Sequence, residues 1–267
     1  MSIKVIDEIG WNHCGDIELA KKFIDSAKES NADFAKFQTW STKRLKPGVW
    51  DNDGRRDIYE KAQLSLEDHE ELIQYCTSKN IRFLSSVFSI DDAKLLKEIG
   101  CSIVKIPSFE SRNKELITYC DQHFETLILS TGTSTFEEIR KSVQFIKNAY
   151  LYLMHCVSVY PGVYEEANIP KMNRLKSLCP NIGLSDHIPG VESAKVAIGE
   201  GAAIIEKHFT IDKSLPGRDN KFSILPEELK NLTDFIQLRN EMLVDRGDGF
   251  NEKELDSRLN YTGRFNG

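Results

Sequence analysis

Two histidines stand just past the ends of successive apolar runs. His187 closes Ser185-Asp186-His187 after Asn181 to Leu184, and His208 closes Glu206-Lys207-His208 after Ala202 to Ile205. If these runs are neighbouring parallel strands joined by a helix, both imidazoles open onto one rim and can share a metal ion. A lone histidine at a strand end is more often simply hydrogen-bonded. Two at equivalent positions, each near an acid, shift the balance toward a site, and local spacing leaves both alternatives open.

Two lysines extend the pattern. Lys36 in Ala35-Lys36-Phe37 and Lys105 in Val104-Lys105-Ile106 sit in the middle of apolar strands. Each is expected to point into a barrel, where an unpaired ammonium is costly and a bound anion would offset the cost. Serines gather at other strand ends: Ser86, Ser108, Ser130, Ser158 and Ser185. Lysines with hydroxyls suit a phosphate or carboxylate. Histidines with acids suit manganese, iron, cobalt or zinc. There is no glycine-rich P-loop, no GxGxxG after the first strand and no hydrolase triad spacing, so nucleotide cofactors are not indicated. Lysines in a barrel also raise Schiff-base aldolase chemistry. A catalytically silent barrel that binds a sugar or a partner protein is the non-enzymatic alternative.

The elements that must hold these residues alternate regularly. Strands are expected at 3–9, 33–39, 81–86, 102–106, 126–131, 151–156, 181–185 and 202–209. Helices with apolar residues at 3.6-residue spacing follow each, the first capped by Asp16 and later ones at 66–79, 90–99, 114–122, 135–147, 169–178, 192–200 and 227–244. Eight strands and eight helices are the count of a single-domain (β/α)8 TIM barrel over residues 1–246. A doubly wound open sheet would usually stop at five or six strands. Residues 40–64 read as a long polar connection, functional or poorly ordered. Residues 247–267 read as a polar tail or the start of a linker.

Composition narrows the partners. The 267 residues carry 35 Lys plus Arg against 41 Asp plus Glu, a net charge of −6 without a basic block, which argues against nucleic acid. No apolar run approaches the roughly 20 residues of a membrane span, and the N-terminus lacks the layout of a signal peptide. The six cysteines show no CxxC spacing and read as reduced structural thiols of a cytoplasmic protein.

Seven ordered segments carry a resemblance: EIGWNHCGDIELAKKFIDSAKE, ADFAKFQT, KIPSFE, LSTGTSTFEEI, LMHCVSVYPGVYEEANI, GLSDH and AIIEKHFTIDKSLPGRDNKFSI. Together they resemble the sialic acid synthase (N-acetylneuraminate synthase) family, whose barrel agrees with the strand count. The family condenses phosphoenolpyruvate with N-acetylmannosamine or a related amino sugar to give a 2-keto-3-deoxy sugar acid and phosphate. The resemblance implies that His187 and His208 ligate a divalent metal, Mn2+ with Mg2+ or Co2+ as alternatives. It implies that Lys36, Lys105, Ser108, Ser130 and Ser185 hold phosphoenolpyruvate, with Ser86 in the place of a family threonine and Ser158 in that of an asparagine. Glu8, Gln38, Glu110, Tyr160 and Asp219 are then the group around the sugar and the reacting carbonyl, with Glu8, Asp219 and Tyr160 as the catalytic candidates. The family's C-terminal antifreeze-like domain has no counterpart before Gly267, Pro107 stands where glycine is common, and loop 40–64 departs from the family pattern. The acceptor sugar is therefore not fixed, and a homodimer is left open.

Overall fold

Period-two alternation on eight short strands, with amphipathic helices between them, leaves one way to bury both sheet faces: curl the sheet closed and surround it with helices. The computed structural model, which describes residues 3–265, has this form. The strands are β1 (Lys4–Gly10), β2 (Phe34–Thr39), β3 (Arg82–Val87), β4 (Ile103–Ile106), β5 (Thr126–Ser130), β6 (Tyr150–Cys156), β7 (Ile182–Asp186) and β8 (Ile204–His208). They form a closed barrel in sequence order, every pair parallel, with β8 against β1. The helices are α1 (Ile17–Glu29), α2 (Arg55–Ala62), α3 (Leu66–Ser78), α4 (Ile90–Glu98), α5 (Lys114–His123), α6 (Phe136–Val143), α7 (Ile169–Leu175), α8 (Glu192–Gly199), α9 (Pro226–Met242) and α10 (Leu255–Asn260). The expected (β/α)8 barrel is therefore the fold.

Caps set the helix starts. Asp16 accepts from Leu19 N at 3.0 Å, as its position before α1 predicts. Ser65 and Thr135 form reciprocal capping boxes with Asp68 and Glu138. Two expectations need correcting. The helix expected over 135–147 ends at Val143, after which the chain turns so that Asp121 can accept from the amides of Lys147, Asn148 and Ala149. The connection 40–64 is not a structureless loop. It contains α2 and two short 3-10 turns, pinned by Trp11, Trp40 and Tyr59, whose ring centroids lie 5.2–6.4 Å apart. Among the described residues no helix is long and apolar enough to cross a membrane.

The barrel interior is layered. At the end where the strands begin, Ile6, Phe34, Leu84, Ile128, Met154 and Ile204 form a cluster of their own. Two residues further along each strand, the inward positions turn polar: Glu8, Lys36, Ser86, Lys105, Ser130, Cys156, Ser185 and Glu206. The outward positions, such as Val5, Ala35, Val104 and Ile205, join the larger core between barrel and helices. A Cβ on Gly183 would lie 2.3 Å from Ile204 O, so β7 and β8 can approach only because this residue is glycine.

Candidate active site

The polar layer places most of the predicted residues together. Glu8 and Lys36 are register partners on β1 and β2 and form a buried ion pair. Glu8 Oε1 also accepts from Gln38 Nε2, one inward step further along β2. Across the barrel, Glu206 on β8 pairs with Lys105 and lies 3.7 Å from Lys36. Ser185 Oγ donates to Glu206 at 3.0 Å, and Lys105 Nζ donates to Ser185 at 3.5 Å. Lys36 and Lys105 are 1% and 4% exposed. They do point inward, and the chain's own carboxylates, Glu8 and Glu206, pair with them and offset the burial for which a bound anion was expected.

Glu206 is the main residue that strand-end inspection failed to promote. It was visible at the end of β8, but its partner Lys105 lies 101 positions away, beyond any spacing rule. The environments push the two carboxyls apart. Burial, only partly offset by Lys36 and worsened by Glu206, raises Glu8. Glu206 is also penalised by burial, but Lys105 and then Lys36 outweigh it and hold it well below the usual carboxylate range. Burial also lowers Lys105, against the pull of Glu206.

A second group lies on the β4 to β6 side. Ser108 Oγ accepts from Gly132 N at 3.1 Å, and a Cβ on Gly132 would fall 2.3 Å from Ser158 Oγ and 2.7 Å from Ser108 Oγ. The two hydroxyls thus converge on a bare backbone position. Ser130 Oγ is buried without a partner among the described residues, and Ser86 lies in register between Gln38 and Lys105. This cradle of hydroxyls beside a lysine suits anionic oxygens.

The histidines face each other with ring centroids 5.3 Å apart. His187 Nδ1 donates to Val157 O at 2.8 Å; burial lowers the ring's pKa, but the neighbouring Cys156 outweighs this and raises it. His208 Nδ1 is buried without a hydrogen bond, 3.5 Å from Asp219 Oδ2. Burial and the neighbouring His187 hold His208 well below its ordinary range, so it is neutral. Tyr160 lies over His187 at 4.0 Å and Phe222 flanks His208 at 5.2 Å, walling the pair with aromatic surface. Burial raises the Asp219 carboxyl to about 6. Cys156 Sγ is 3.9 Å from His187 Nδ1; burial pushes the thiol up, but the imidazole outweighs this and brings it to about 7.

Two facing imidazoles, with His208 held neutral, are a donor type that suits one ion of intermediate softness. Among the described residues no group of three or more His, Cys, Asp or Glu is gathered closely enough to hold a metal ion.

Other polar residues near the strand ends have local partners. Glu110, expected near the sugar, sits on a 3-10 turn and accepts from Asn113 Nδ2 at 2.8 Å at the start of α5. Asp186, the acid beside His187 in sequence, faces outward. Ser85 and His155, strand-end residues that sequence could not tell from site residues, also face outward. Ser85 bonds Thr39 at 2.7 Å, and His155 Nε2 bonds Ala167 O at 2.8 Å.

Known proteins are similar to this one over nearly the whole chain. An N,N'-diacetyllegionaminic acid synthase of Campylobacter jejuni is 36% identical over 275 residues, covering 96% of this chain and 81% of its own length. A pseudaminic acid synthase of the same species is 32% identical, covering 96% and 79%. The crystal structure of a sialic acid synthetase from Leptospira borgpetersenii in complex with citrate superposes with a TM-score of 0.87 at 31% identity, covering 100% of this chain and 93% of that one. The NeuB family profile matches residues 23–247, a span that takes in all of the polar layer except Glu8. The chain belongs to the NeuB family.

Proposed function

We propose that this barrel condenses phosphoenolpyruvate with an amino sugar, N-acetylmannosamine or a relative, to give a 2-keto-3-deoxy sugar acid and phosphate. The observation that carries the proposal is the meeting, on one polar layer, of two carboxylate-paired lysines, a hydroxyl cradle and a facing histidine pair. Family membership supports the reaction class. The relatives at 36% and 32% identity are named for different products, so likeness leaves the acceptor open.

In this proposal Lys36 and Lys105 neutralise the phosphate and carboxylate, while Ser108, Ser130, Ser158, Ser185 and the Gly132 amide hold their oxygens. Ser86 and Gln38 line the path between phosphate and sugar. Glu206 stays ionised beside both lysines, and amines engaged by carboxylates are poorly placed for Schiff-base chemistry, which requires a free amine. Glu8, whose pKa is raised, holds and moves a proton at the reacting end. Asp219, at about 6, can do the same near neutral pH. Tyr160 covers the histidines and excludes water from that side. His187 and His208 would hold the divalent ion, Mn2+ or alternatively Mg2+ or Co2+, which when bound would supply Lewis-acid polarisation of the aldehyde oxygen. C3 of phosphoenolpyruvate bonds to the aldehyde carbon, water adds at C2, and phosphate leaves by C–O cleavage.

The test is a panel of aldoses incubated with phosphoenolpyruvate and Mn2+, scored by phosphate release. Release that requires an amino sugar supports the proposal. Release independent of any aldose, or none with any amino sugar, overturns it.

A further inference from the structure

The two candidate metal ligands share a sequence feature that the chemistry above leaves unused. Each follows a charged residue whose side chain points the opposite way: Asp186 before His187, and Lys207 before His208. Alternation on β7 and β8 sends the histidines inward and the charges outward, beneath α8. Asp186 and Lys207 are register partners on the two adjacent strands, 5% and 2% exposed, and pair at 2.7 Å.

The contacts around this pair converge on a single residue. Asp186 Oδ1 accepts from Ile188 N at 3.1 Å, and Lys207 Nζ donates to Ile188 O. Both polar groups of the residue after His187 are therefore held by the ion pair. Ser193 Oγ, on α8, donates to Asp186 Oδ2 at 2.6 Å and ties the pair to the outer layer. On the other side His187 O accepts from Gly162 N at 3.0 Å. The peptide that carries His187 is thus fixed relative to β8, the strand that carries His208.

A buried ion pair is an expensive way to gain stability, because two apolar residues of similar volume often do as well or better. What charges add is direction: the ammonium and carboxylate have to meet, and here their meeting fixes two backbones relative to each other. We propose that the Asp186–Lys207 ion pair is a positioning device that sets the separation of His187 and His208, presenting two preorganised nitrogen ligands to one metal ion. The proposal rests on the metal site proposed above. Partners outside the ligand shell commonly tune metal affinity by roughly 10–100-fold. This pair would act through backbone placement and touches neither ring.

The experiment uses the full chain carrying Asp186→Leu together with Lys207→Met, which removes both charges and leaves none buried alone. The melting temperature is expected to stay near that of the parent. The Mn2+ dissociation constant, read from the electron paramagnetic resonance of free Mn2+, is expected to weaken roughly 10–100-fold. In a crystal structure of the variant the rings should leave their 5.3 Å separation. A purely structural pair predicts the reverse: a changed melting temperature with parental Mn2+ affinity and ring separation. That result overturns the proposal. If the double variant does not fold, Asp186→Asn is titrated in the same way; at least a tenfold weaker constant supports the proposal and parental affinity overturns it. A parent chain that binds no Mn2+ overturns the metal site itself, and ring separation in the variant crystal then decides the role of the pair.

Discussion

Replacing Glu206 with glutamine tests the electrostatics of the polar layer. Glu206 pairs with Lys105, lies 3.7 Å from Lys36 and accepts from Ser185 at 3.0 Å. Glutamine keeps the shape but leaves Lys105, 4% exposed, without its counterion. Breaking one side of a buried pair typically costs about 3–5 kcal/mol. The cost is capped because the lysine can give up its proton. That escape costs about 1.4 kcal/mol per pH unit below an ordinary lysine pKa of about 10.4, so about 4.6 kcal/mol at pH 7 and about 1.9 at pH 9. The sign follows. A lysine whose folded pKa is depressed destabilises the fold below its unfolded pKa, and the penalty shrinks as pH rises. Glu206→Gln should therefore melt roughly 5–9 °C below the parent at pH 7, with a clearly smaller deficit at pH 9. Phosphoenolpyruvate should raise the variant's melting temperature more than the parent's, because the anion replaces the missing carboxylate. Melting curves at both pH values, with and without the ligand, give the answer. Parental stability at pH 7, or a deficit that does not change with pH, would refute the reasoning.

Three further outcomes follow from particular side chains. Lys105→Ala should raise the KM for phosphoenolpyruvate far more than that for the sugar, and equal effects on both would remove its assigned place at the anion. Asp7 is fully buried with neither carboxylate oxygen bonded, and burial followed by the nearby Glu8 raises its pKa well above the ordinary value. The native state therefore loses stability as pH rises from about 4 through the folded pKa, so Asp7→Ala should raise the melting temperature, and more at pH 8 than at pH 5. An unchanged or lowered value at pH 8 would contradict this. Burial pushes Asp121 up, but the amides of Ala149, Asn148 and Lys147 outweigh it and hold its pKa low. Its contribution is present above its unfolded pKa near 3.9 and is lost as pH falls through the lower folded value. Asp121→Ala should cost about 2 kcal/mol at pH 7 by denaturant titration, with the gap closing in acid.

The barrel was legible because two periodicities alternate along the chain, and each strand's inward positions change from apolar to polar along its length. Ile6 then Glu8, Phe34 then Lys36, and Ile204 then Glu206 carry that message locally. Pairing was not legible: Lys105 finds Glu206 only after closure, and Glu8 meets Lys36 because β1 and β2 align in register. Which face a polar strand residue takes was also obscured. In a parallel barrel the outer face is as buried as the inner one, so polar strand residues such as Ser85, His155, Asp186 and Lys207 can turn outward without a change in burial. The ordering of 40–64 comes from Trp40 and Tyr59 reaching Trp11, contacts that a polar composition conceals.

The central claim is that His187 and His208 hold the ion needed for a phosphoenolpyruvate condensation. The most direct measurement compares the parent with His208→Ala for bound Mn2+, melting temperature and aldose-dependent phosphate release in the same samples. The expected result is a folded variant that has lost most of its metal and at least about 100-fold of its turnover, a deficit of about 2.7 kcal/mol in transition-state stabilisation. Parental phosphate release from the metal-free variant, or a borohydride-trapped pyruvate adduct on Lys36 or Lys105, would contradict it.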